Sequence, residues 1–138
     1  MLPSLQTRIP YPYLGGLVLF IAVANIFAYF FHLYFYWWWL DIPMHLLSGL
    51  WVGMTTLVLY YRGKHPIPIG YSPWILFVGA VASALLVGFC WEVFELIVQM
   101  TTLDPHDIVD SLGDMFNDFL GGYLAGYIAY KKKLFHSV

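Results

Sequence analysis

The chain has 138 residues, of which 61% are hydrophobic, 20% aromatic and only 10% charged. A soluble domain of this length cannot bury so much apolar surface or cover its exterior with so few charges. The formal net charge of −2 leaves no basic field to attract a phosphate backbone. A soluble enzyme, a disordered chain and a nucleic-acid binder are therefore excluded, and an integral membrane protein remains.

A helix crosses a bilayer with about 20 mostly apolar residues. Four stretches qualify. The first covers residues 13–38. Its Ala22-Val23-Ala24 imitates a signal-peptide cleavage site, but the apolar run continues through Phe35 and Arg8 is the one basic residue before it, so an uncleaved span is expected. Asn25 and His32 in this span read as packing hydrogen-bonders. Trp37-Trp38-Trp39-Leu40 follows, a cluster suited to the interfacial aromatic belt. The second span covers residues 42–61 and is followed by a polar connection over 62–70. The third covers 73–100. After a short link over 101–104, the fourth covers 105–130. Strands of alternating polarity, as in a membrane barrel, are not seen. The expected fold is a single all-α domain, an integral membrane four-helix bundle.

The charges orient it. The basic residues are Arg8, Arg62, Lys64, Lys131, Lys132 and Lys133. With four spans they all fall on one side, which the positive-inside rule makes cytoplasmic, together with the N and C termini. The acids Asp41, Glu92, Glu95, Asp104, Asp107, Asp110, Asp114 and Asp118 gather on or near the other face. The expected location is the plasma membrane, multi-pass, with the acidic cluster on the extracytoplasmic side.

Several of these acids lie within spans, where an ionised group costs about 2.5–3.5 kcal/mol on insertion scales. No Lys or Arg is available in the outer half, so salt bridges other than to a protonated histidine cannot neutralise them. A metal ion, shared protons or open water must do so. Helical spacing shows which faces can converge. Asp41 and His45 are i,i+4, and Glu92 and Glu95 are i,i+3. Asp110, Asp114 and Asp118 continue a row that runs on into Gly122, Ala125 and Ala129. At a rise of about 1.5 Å per residue, His45, Glu95 and Asp110 lie roughly 5–8 Å in from the outer helix ends, and Glu92, Asp114 and Asp118 roughly 10–17 Å. The small residues at the inner ends allow close helix approach. Asp41, His45, Glu92, Glu95, Asp110, Asp114 and Asp118 are thus candidate ligands of a divalent metal ion. Carboxylates favour Mg²⁺, Ca²⁺ or Mn²⁺, and the imidazole admits Zn²⁺ or Fe²⁺.

Plainer roles suit the other polar groups. Asp104 before Pro105 reads as an N-cap, and Asp107 complements the helix dipole. Asp41 before Ile42-Pro43 could itself be a cap. Cys90 reads as a small buried hydrophobe, His65 and His106 as loop residues, and Gly121-Gly122 and Gly126 as packing contacts.

The order Asp41-x3-His45-x3-Gly49, Trp91-Glu92-x2-Glu95 and Asp110-x3-Asp114-x3-Asp118-x3-Gly122 resembles the YjdF-like group of small membrane proteins, and more distantly the VanZ-like proteins. The resemblance covers roughly residues 40–127. It implies a multi-span helical protein with acids and a histidine near one membrane face, at the same seven positions. Three functions are open. The site could bind a divalent metal and act on a lipid or lipid-linked substrate. The chain could be a non-catalytic subunit of a larger membrane complex. It could also carry protons or cations. Membrane lipids are expected partners, and nucleic acid is not.

Overall fold

A computed structural model of the chain describes residues 11–62, 73–98, 100, 103–132 and 134. Five α-helices follow in order: α1 Tyr11–Phe30, α2 Leu33–Tyr36, α3 Asp41–Arg62, α4 Pro73–Ile97 and α5 Pro105–Lys131, with a 3-10 turn at Trp38–Leu40 before α3. No strand occurs among the described residues. Arg8, Lys64, His65, Gln99 and Lys133 lie outside them.

The first span is not one helix to residue 38. α1 stops at Phe30 because His32 takes the left-handed conformation, φ 53 and ψ 33. That conformation cannot continue a right-handed helix. The short α2 that follows is tied back to α1, where the Tyr34 hydroxyl donates to the Asn25 amide oxygen. Asn25 thus has the packing role its sequence suggested, whereas His32 is an exposed corner. The remaining boundaries agree with the apolar periodicity to within three residues. α3 tolerates Pro43 in its first turn, where no intrahelical N–H bond is lost. α5 begins with Asp104 at the extended N-cap position and Pro105 behind it, although the Asp104 carboxylate makes no capping bond.

α3, α4 and α5 pack against one another in all three pairings, and α1 lies against α3. The end of this three-helix core remote from Asp41 is closed by Met54, Leu57, Val58, Leu76, Ala80, Ala125 and Ala129. The seam between α3 and α5 is narrow enough that a Cβ on Gly121 would lie 2.3 Å from the Leu46 carbonyl oxygen and 2.6 Å from the Leu50 nitrogen. α1 contributes only Ile21 and Ala28 to the buried set. It is bound to α3 partly through the Trp51 indole, whose Nε1 donates to the Leu14 carbonyl at 3.0 Å.

In place of the expected four-helix bundle, α3, α4 and α5 form a tight trio, with α1 peripheral to it and the short α2 beside α1. Among the described residues, three segments are long and apolar enough to cross a membrane: Tyr11–Phe30, Trp38–Tyr61 and Trp74–Ile97. α5 has 27 residues but carries acids along one face. That face points inward, burying Asp114, Asp118, Gly121, Gly122, Ala125, Gly126 and Ala129. Val109, Leu112 and Phe116 lie on its outside. A soluble amphipathic helix has the opposite arrangement.

Candidate metal centre

Asp41 and His45 lie one turn apart at the start of α3, and Asp114 and Asp118 lie one turn apart on α5, so each pair projects from a single helix face. The close α3–α5 seam brings these faces together. His45, Asp114 and Asp118 retain only 7%, 6% and 3% of their exposure, and Asp41 is half-buried. The imidazole lies among three carboxylates. Its Nδ1 is 3.2 Å from Asp118 Oδ2. Its Nε2 is 3.7 Å from Asp41 Oδ1 and 4.0 Å from Asp114 Oδ2.

The two ring nitrogens therefore face different chemistry. Nδ1 is within hydrogen-bonding distance of Asp118, and in the neutral ring a proton shared there would leave the Nε2 lone pair on the side of Asp41 and Asp114. Ligand atoms of Asp41, His45 and Asp114 all lie within 4.8 Å of one another. A point equidistant from three atoms so spaced is roughly 2.0–2.5 Å from each, the bond length of a divalent ion to oxygen or nitrogen. A carboxylate behind the histidine is the usual outer partner of a metal-bound imidazole, fixing its tautomer and its aim.

The other sequence candidates surround this core. Glu92, on α4, and Asp110, on α5, are within electrostatic reach of Asp114. Glu92 is half-buried, and its Oε1 is buried with no hydrogen-bond partner among the described residues. Glu95 is within electrostatic reach of Glu92, Asp41 and His45, and its Oε1 accepts from Trp91 Nε1 at 2.9 Å. All seven candidates thus belong to one neighbourhood, but only Asp41, His45 and Asp114 present converging ligand atoms. Asp118 faces the far side of the imidazole.

A cleft of about 210 Å³ leads to this group, with Asp41 and Asp114 in its lining. Trp38, Ile42 and Val109 provide apolar wall, and Asp110, His106 and Asn117 provide polar wall. Several of these residues escaped the sequence reading. His106 is in the first turn of α5, not in a loop. Asn117, whose Nδ2 donates to the Gly113 carbonyl at 2.9 Å, follows the acidic row by helical spacing and could have been found that way. Tyr34 comes within electrostatic reach of Asp41 and Glu95. Nothing distinguishes it in sequence from the ten other tyrosines. Cys90, expected to be buried, is exposed on α4.

Residues 2–133 match the family described as "Predicted membrane protein (DUF2238)". The chain belongs to that family. With three helices apolar and long enough to span a bilayer, it is a membrane protein. No curated protein and no solved structure matches it.

Proposed function

We propose that this DUF2238 member is a membrane metal-binding protein whose Asp41–His45–Asp114 site takes one divalent ion. A single observation carries the reading: two carboxylates and an imidazole Nε2 converge at metal-sized spacing while, among the described residues, no Lys or Arg forms an ion pair with them. The nearest described cation along α5 is Lys131, about 25 Å from Asp114 at the helical rise. One nitrogen and two oxygens suit a first-row ion such as Mn²⁺, Fe²⁺ or Zn²⁺ better than Mg²⁺ or Ca²⁺, which prefer all-oxygen sites. Glu92, Glu95 and Asp110 enlarge the negative field around that ion, and Asp118 positions the histidine. In this reading α5 is a fourth span, with Asp114 and Asp118 turned inward. With the positive-inside rule, the segregated charges support a topology with both termini in the cytoplasm and the cleft on the extracytoplasmic side of the plasma membrane.

The cleft favours a substrate at the lipid–water boundary. Trp38 and Ile42 would meet acyl chains, while a phosphoryl or acyl oxygen reached the ion. A bound ion would polarise that oxygen or activate water, with Glu92 or Asp110 available as base. The resemblance to YjdF-like and VanZ-like proteins supports the same residue set. Against ion transport, Leu57, Ala80, Ala125 and Ala129 close the path toward the inner end, each 2% exposed or less. A non-catalytic subunit would use the same site to hold the helices together, and it differs by having no turnover on lipid.

Elemental analysis of protein purified in detergent and equilibrated with Mn²⁺, Fe²⁺, Zn²⁺, Mg²⁺ and Ca²⁺ in turn tests the reading. One ion per chain is expected, lost in His45→Ala and in Asp114→Ala and retained in Asp104→Ala. Wild-type protein that retains none of the five refutes it.

A further inference from the structure

Resting on the metal-binding reading, we infer that Gly88 is a positioning residue: the side chain it lacks leaves the recess on α4 that seats the Asp118 carboxylate, and this seat aims His45 Nε2 at the ion. A Cβ on Gly88 would lie 2.0 Å from Asp118 Oδ2 and 2.8 Å from its Cγ, with Asp118 Cβ next at 3.4 Å. All three nearest atoms belong to one side chain. At Gly49 and Gly121 the nearest atoms are backbone, so those glycines set the distance between helices. Gly88 has a different role, because the only obstacle to a methyl group there is the carboxylate.

The atom in closest conflict, Oδ2, is the one 3.2 Å from His45 Nδ1. Asp118 is also held from α3, where its backbone oxygen would lie 2.6 Å from a Cβ on Gly49. Its backbone thus lies against α3 while its carboxylate reaches across to Gly88 on α4. A methyl at position 88 would push Oδ2 away by about 1 Å or more to reach ordinary contact, which breaks the bond to Nδ1. The imidazole then loses the partner that selects its tautomer. Removing an outer partner of this kind typically weakens metal binding roughly 10–100-fold. Asp118 touches the ion through His45 alone in this account, which makes it and Gly88 positioning residues.

The test is a double-mutant cycle in purified protein, with Zn²⁺ affinity as one readout and ¹⁵N imidazole shifts as the other. The His45 signals are assigned by their loss in His45→Gln. Gly88→Ala and Asp118→Ala should each weaken Zn²⁺ binding roughly 10–100-fold, and the double variant should be no weaker than Asp118→Ala alone. In metal-free protein at a pH where His45 is neutral, wild type should show a protonated Nδ1, and Gly88→Ala a mixture of tautomers. Equal losses from Gly88→Ala in both backgrounds, or wild-type binding by Gly88→Ala, overturn the inference. Should Gly88→Ala fail to fold, folding restored in the double variant supports the seat, and failure of both overturns it. If wild type binds no Zn²⁺, the metal-free spectra alone decide: unchanged His45 shifts in Gly88→Ala overturn the positioning role.

Discussion

Gly121→Ala should destabilise the protein while Gly113→Ala, eight residues earlier on the same helix, should not. At position 121 the added methyl meets the Leu46 oxygen at 2.3 Å and the Leu50 nitrogen at 2.6 Å, and both are backbone of α3. Ordinary contact begins near 3.4 Å, so the shortfall is about 1 Å and no side-chain rotation relieves it. The helices must separate by that distance. A gap of this size costs the facing atoms a quarter to a half of their dispersion energy, and the seam includes the contacts of Gly49 with Asp118 and of Gly53 with Ala125. A cost of about 3 kcal/mol follows, at the upper end for overpacked cores. Better helix propensity returns at most about 1 kcal/mol. At Gly113 nothing lies within 4 Å, so only the propensity gain applies. Reversible unfolding of both variants in matched micelles should give opposite signs and a separation on the order of 3 kcal/mol. Equal stabilities would show that α3 and α5 do not meet at this seam.

Three other outcomes are expected. A chelator should lower the melting temperature of wild type and leave His45→Ala unchanged, because an ion at 100 times its dissociation constant adds about 2.7 kcal/mol. Calorimetric metal affinity should rise as pH increases, since the carboxylates and the imidazole bind the ion only when deprotonated and protons compete at low pH; an affinity that falls with rising pH refutes the ligand set. Tyr34→Phe should cost about 1 kcal/mol by removing the tie between α2 and α1, and faster amide exchange in Leu33–Tyr36 would confirm it.

Much of the architecture could be read from the chain. Runs of apolar residues located α3, α4 and α5 to within a few positions, since a bilayer demands length and hydrophobicity whatever the neighbours are. The break in the first span is invisible to hydropathy, which does not record a single left-handed residue, and the aromatic run over 29–39 continues on both sides of His32. Spacing also placed His45 and the α5 acids on facing stripes. It could not separate Asp114 from Asp118, one turn apart in the same row. That difference depends on how far α5 is slid along α3, which puts one carboxylate before Nε2 and the other behind Nδ1.

Composition alone determined that this is a membrane protein, because 61% hydrophobic residues cannot be hidden in a chain of this size. Spacing alone determined that acids and a histidine share helix faces, because the α-helix has a fixed period. Only the tertiary structure decided which oxygen meets which nitrogen and why position 88 must lack a side chain. Contacts across helices depend on rotation and depth, and these are set by where glycines let two backbones touch.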